Sequence, residues 1–361
     1  RPGSASSSNP TNEQKETEHK RKNRPTIIAA GCAIAGLAVP AMAGAAPKAP
    51  PLPKAASGAK VKLFATGVGI PTQVAFAGKN AFVAGAKEGP FKGGVFVVKP
   101  GSKKAVKVKG TPASAFGVAV KSGKVYVSSG RDVYRYGRFD GKRFRNAKKI
   151  FAGPKKFTGF SGLSFGPDGR LYAGVALNQK FDHVKDTSPY GNSVVSMNTN
   201  GKAVKVVSTG LRQPWMLTFA KGNANPFVSV LGPDTPLNNG APDRIVNAEA
   251  GQDYGFPACD WLIIAACDGY ADPLVRLEAI PGKKGSLTQQ SPMGIGSIGD
   301  QLYVALFNGA GKGPQVMRIG TDGQGAKPFL TGFVAPVLSV ATHRGSVYAG
   351  DLTGSIYEVK G

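Results

Sequence analysis

The sequence predicts an all-β protein, a six-bladed β-propeller with four-stranded antiparallel blades, and three observations carry that prediction. The first is composition: 361 residues with 50 Gly, 27 Pro and 41% hydrophobic side chains can bury a large core, yet hold too many turn formers for a helical protein. The second is a repeat. A Gly- or Pro-bearing lead-in, an apolar strand, a turn and a second strand centred on an aromatic residue recur from Gly67, Gly110, Phe157, Gly210, Gln289 and Gly332. The third is the spacing of the aromatic anchors. Phe82, Tyr126, Tyr172, Phe227, Tyr303 and Tyr348 stand 44, 46, 55, 76 and 45 residues apart, and a period near 45 with four short strands is that of a propeller blade.

Each element follows from local chemistry. In "FSGLSFGPDGRLYAGVA", Pro167 presets φ, Asp168 can bond its own backbone and Gly169 accepts positive φ between two alternating apolar runs, so the segment is a hairpin. Third strands read as "GGVFVV", "DVYRYG", "NSVVSM", "PQVMRI" and "GSIYEV", and fourth strands as "KAVKVKG", "KKIFAG", "AVKVVSTG" and "KPFLTG". The last copy reaches Gly361 after its third strand. Its outer strand is expected from "AKVKLFATG" (59–67), which closes the ring by pairing the two ends of the propeller and leaves no open sheet edge. The large departure from the repeat is an insertion at about 232–288. Loops entering first strands and loops joining second to third strands share one face, so 156–160, 178–192, Arg212 with Gln213, and Gln289 with Gln290 should surround one mouth of the channel.

Ahead of the propeller (61–361), residues 1–45 read as a leader with a secretory signal peptide. A basic flank precedes an apolar run from Thr26, with small residues at Ala41, Ala43 and Ala45; a membrane anchor is the rival reading, but Gly31, Gly36 and Pro40 interrupt the run. Residues 46–60 form an Ala/Pro/Lys-rich spacer. The expected location is secreted, periplasmic or cell-envelope associated, with no transmembrane domain after cleavage. An oxidising compartment would pair Cys259 with Cys267, the two cysteines beyond the leader. The net charge is +25, and +22 remains once 1–45 is set aside. The cations gather in 99–110 and 141–156 without the interleaved aromatics of a single-strand groove, so no specific nucleic-acid recognition is expected and anionic cell-envelope polymers are the candidate partners.

Four segments, "FGPDGRLY", "GLRQPWMLTF", "GQDYGFPAC" and "QSPMGI" with "DQLYVALF", stand in the order seen in the glucose/sorbosone dehydrogenase family, which the chain resembles over most of 61–361. The resemblance implies an exported six-bladed propeller that oxidises a sugar with pyrroloquinoline quinone (PQQ) and calcium. It gives Arg212 a contact with the quinone, sets Gln213 where the family has Asn, and puts Asp243, Asp253 and Tyr254 near calcium and substrate. Asp234 and Asp243 carry the oxygen chemistry that calcium takes, and Trp215 beside Arg212 could stack on a planar ligand. The pattern also departs from the family. Thr158 holds the position of the family's catalytic His, Gln290 replaces a frequent His, and "FVAPV" from Phe333 carries no charge where the family has Arg.

Threonine takes no proton from a sugar hydroxyl at neutral pH without a stronger base beside it. Of the two histidines beyond the leader, His343 sits in the turn "ATHRGS", opposite the mouth, and reads as a solvated turn residue. His183 lies in a mouth loop between Asp182 and Asp186 and is either a substitute base or a surface histidine. "GIGSIG" runs into a strand instead of opening a helix, so it is no dinucleotide fingerprint. Two functions follow: a PQQ- and calcium-dependent sugar dehydrogenase-like oxidoreductase acting on a small sugar, or a non-catalytic propeller that binds a glycan or an anionic polymer.

Overall fold

The computed structural model describes residues 50–178, 184–233, 240–281, 287–309, 311 and 313–361. The leader, His183 and Asp234 lie outside the described residues. Six antiparallel sheets form the six blades expected from the repeat. Blade one comprises Pro71–Ala77, Asn80–Gly85, Gly94–Val98 and Val106–Lys107. Blade two comprises Gly117–Lys121, Lys124–Ser129, Asp132–Tyr136 and Lys148–Ala152. Blade three follows with Phe160–Phe165, Leu171–Val175, Val194–Met197 and Lys205–Ser208. Blade four is Gln213–Thr218, Phe227–Leu231, Asp243–Asn247 and Val275–Leu277. Blade five is Pro292–Ile298, Gln301–Leu306, Gln315–Gly320 and Lys327–Thr331. Blade six takes Val337–His343, Ser346–Asp351 and Ile356–Lys360, and its outer strand is Lys62–Ala65, which pairs with Ile356–Lys360 and closes the ring.

All six aromatic anchors fall on second strands. Five are buried, and Tyr172 is half-buried, its ring edge-on to Phe219 of blade four. Inner strands approach so closely that a methyl group would collide at Gly162, 2.3 Å from Met216 Sδ, and at Gly294, 2.1 Å from the Val340 nitrogen. Side chains also tie blade to blade: Gln73 Oε1 accepts from Val118 and Leu163 nitrogens at 2.9 and 3.0 Å, while Thr342 Oγ1 donates to the Ser297 carbonyl at 2.8 Å. The "GPDG" hairpin is a structural staple. Asp168 accepts from the Arg170 nitrogen and the Tyr172 hydroxyl, and the Arg170 guanidinium reaches Ser196, Asn198 and Ala203.

Three details refine the sequence reading. Within 232–288 lie the third and fourth strands of blade four, so the departure is a set of connections around two regular strands. In the Ala/Pro/Lys-rich segment, Lys54–Ala55 pairs with Leu330 and Thr331 and adds a fifth strand to blade five. His343 is the last residue of its strand, not a solvated turn residue. Its ring stacks on Phe76 at 4.3 Å, and burial, helped by Arg344, lowers its pKa.

Candidate functional site at the channel mouth

The structure sorts the expected site residues into three places. Thr158 and Trp215 meet at a cavity of about 10 Å³ bounded also by Phe116, Phe160, Ser161 and Ala176. The Thr158 hydroxyl donates to the Ala176 carbonyl at 2.5 Å, which commits its proton to the backbone. Among the described residues, Trp215 Nε1 and Ser161 Oγ are buried without a hydrogen-bond partner, and the cavity is of the size of a single water.

The second place is the buried ionic centre of blade four. Arg212 is 1% exposed, Asp243 1% and Arg244 0%. Each Asp243 oxygen accepts a backbone N–H, from Gly232 at 2.9 Å and Ser291 at 2.7 Å, which joins the loops before the third strand of blade four and before the first strand of blade five. Burial pushes the Asp243 carboxyl up to about 6, against the pull of those two N–H groups, Arg212 and Arg244. Arg212 donates to the Leu231 carbonyl, and Arg244 Nη1 to the Tyr254 carbonyl at 3.0 Å. Burial lowers Arg244 to about 10, opposed by Asp243 and Asp260. Gln213 is buried beside Arg212, and Gln290, at the edge of this region, donates to the Glu278 carbonyl at 2.9 Å. Sequence reasoning missed Arg244, although a charged pair opening the apolar strand "DRIVN" was a signal for it.

The third place is where two of the family-like segments meet. Thr209 bridges to Asp253, and the nitrogens of Tyr254 and Phe256 donate to the carbonyls of Thr209 and Gly210 at 3.0 Å. Gly210 has φ +70°, and a methyl group there would lie 2.0 Å from Asp253 Oδ1, so only glycine fits. Tyr254 is buried; its hydroxyl donates to the Asn247 carbonyl, and its carbonyl also accepts from Trp261 Nε1. Asp253 Oδ1 accepts from the Gly255 nitrogen at 2.9 Å. The Cys259–Cys267 disulfide closes the adjoining loop over Trp261.

No family model and no curated relative matches the sequence. Solved structures do. The PQQ-bound aldose sugar dehydrogenase of Streptomyces coelicolor is 20% identical, with a TM-score of 0.64 over 86% of this chain and 99% of that one. The putative oxidoreductase (glucose dehydrogenase) of Thermus thermophilus is 19% identical, with a TM-score of 0.63 over 84% and 100%. A calcium structure of Trichoderma reesei carbohydrate-active enzyme family AA12 is 13% identical, with a TM-score of 0.63 over 88% and 99%.

The chain has the fold of the sugar dehydrogenase propellers.

Against that fold, the cavity between Thr158 and Trp215 is too small for a quinone. A cavity of about 10 Å³ is far below the roughly 300 Å³ scale of a pocket for a planar ligand, and the Arg212 guanidinium is interior. Among the described residues, no group of three or more His, Cys, Asp or Glu side chains could hold a metal, and both Asp243 oxygens already receive backbone N–H groups.

Proposed function

We propose that this chain is an exported sugar dehydrogenase-like oxidoreductase that takes a small sugar at the mouth of its channel. The observation that carries the reading is the junction of "GLRQP" with "DYGFP": two segments some forty residues apart, in the order of the sugar dehydrogenases, meet within a ring of the same fold. PQQ and calcium are the cofactors this reading calls for. They call for His183 as base and Asp234 as a calcium ligand, both outside the described residues, because Thr158 is committed to the Ala176 carbonyl and Asp243 is enclosed. No helix among the described residues is long and apolar enough to cross a membrane.

The Thr158 hydrogen bond and the burial of Arg212 favour a second reading, a propeller without quinone chemistry whose mouth binds a glycan. Titration of the chain from Ala46 with PQQ, with and without calcium, separates the two when bound-quinone absorbance is read together with dye reduction on an aldose panel. Calcium-dependent binding with turnover that is lost in His183→Ala supports the oxidoreductase and makes His183 its base. No quinone binding at micromolar concentration overturns it and leaves the glycan-binding propeller.

A further inference from the structure

The connection between the third and fourth strands of blade two is itself a small hairpin. Gly137 donates to the Arg145 carbonyl at 2.8 Å, Arg145 to that of Arg138 at 2.9 Å, and Phe139 bridges Phe144. Its turn is set by Asp140, whose Oδ1 accepts the nitrogens of Lys142 and Arg143 at 3.0 and 2.9 Å. Alternation sends Phe139 and Phe144 inward, where both rings lie within 5.4 Å of Phe82 and Phe144 lies 4.9 Å from Tyr136. The cations between and beyond those rings therefore point outward on a hairpin anchored by aromatic packing.

The hairpin tip leans on blade one. Lys109 bridges Arg143, and its nitrogen donates to the Lys142 carbonyl at 3.4 Å. Between the two blades is an open groove of about 650 Å³ lined by Lys99, Lys109, Asp140, Gly141, Lys142, Arg143 and Arg145. Five cations thus face one carboxylate. Arg145 and Arg143 approach Asp140 through Nε, at 2.9 and 3.8 Å, while their side chains stay 56% and 63% exposed. Two arginines are thereby oriented with most of their surface still open to a ligand, and an arginine fork suits the paired oxygens of a phosphate. Both phenylalanines of the hairpin face the core, so the groove offers no platform on which bases would stack.

We propose that this groove between blades one and two binds a linear, phosphate-bearing polymer that carries no stacking bases, with Lys99, Lys109, Lys142, Arg143 and Arg145 tracking its backbone. The site is separate from the channel mouth and stands whether or not the mouth oxidises a sugar.

Inorganic polyphosphate is the probe, with binding to the whole chain followed across a salt series. The test variant is Lys142→Gln with Arg143→Gln. Both side chains are exposed and the Asp140 turn rests on backbone N–H groups, so the hairpin survives, as an unchanged melting temperature would verify. The control is Lys202→Gln with Lys205→Gln, an exposed pair on blade three with the same change in charge. The groove variant should lose affinity about tenfold near 0.1 M salt, and its slope of log K against log salt should fall by about 0.7 per cation removed; the control should change less than about twofold. Equal losses in the two variants would overturn the proposal in favour of a diffuse charge. It would fail equally if wild type showed no polyphosphate binding, or if single-stranded DNA of the same charge bound the groove as tightly as polyphosphate.

Discussion

Blades four and six both break the sequence repeat, and they resolve the break in opposite ways. Blade six lacks a fourth strand of its own and borrows Lys62–Ala65 from the other end of the propeller, yet its interior is built from within: Val337, Val340, Val347, Ala349, Tyr357 and Val359 form an apolar cluster, and the buried Asp351 carboxylate accepts from Thr353 and Tyr357 of the same blade. Blade four is continuous in sequence but carries long connections, and it buries Arg212, Asp243 and Arg244. A strand exchange asks only for a ladder and leaves side-chain chemistry alone. Gathering loops from two blades at one point needs hydrogen-bonding groups at their junction, and a carboxylate that accepts from both Gly232 and Ser291 serves that need.

The comparison can be broken most severely at the closing strand. Removing residues through Thr66 opens a sheet edge in blade six, and the expected result is loss of a cooperative thermal transition followed by circular dichroism. Removal through Lys60 strips the Lys54–Ala55 ladder, the Ala56 bond to the Phe329 carbonyl and the packing of Ala55 and Ala59, and should cost about 1–3 kcal/mol in urea unfolding, where the spacer reading alone expects no cost. Asp243→Ala comes next. It leaves two loop N–H groups and two buried guanidinium groups without their carboxylate, a loss of about 3–5 kcal/mol by the same assay, whereas Asp243→Asn keeps one acceptor oxygen and should lose less.

A further effect is one of pH. Burial holds the Asp243 carboxyl at about 6 in the fold against an ordinary 3.8, so between those values the folded chain binds a proton that the unfolded chain has lost. Its contribution to stability is present below about pH 4 and is lost as pH rises through 6. The urea midpoint should carry a downward slope across that window which Asp243→Asn flattens; an unchanged slope in the variant would place the pH dependence elsewhere.

Legibility in the sequence followed the same divide. Turn chemistry at "GPDG" and the aromatic second strands are set by local sterics and a two-residue side-chain alternation, so the blades could be read directly. Closure of the ring by 59–67 was legible because the segment ends as the other fourth strands do. The strand "DRIVN" was not read as a blade strand, since its two leading charges hide the alternation until their partners are known. "GLRQP" and "DYGFP" were legible as a pair, but much of their joint meaning is a clamp: Gly210 must be glycine because Asp253 occupies the space where a side chain would stand.

By itself, then, the sequence determined the number of blades, the strands and turns within them and the charge of the surface, because these depend on residues near one another in the chain. The tertiary structure decided which charges are enclosed and which face solvent. Arg212 and Asp243 are interior only because loops of blades four and five close over them, and Arg143 and Arg145 flank a groove only because a blade-two hairpin leans on Lys109 of blade one. Both outcomes depend on desolvation by residues distant in sequence, a quantity that no local pattern contains.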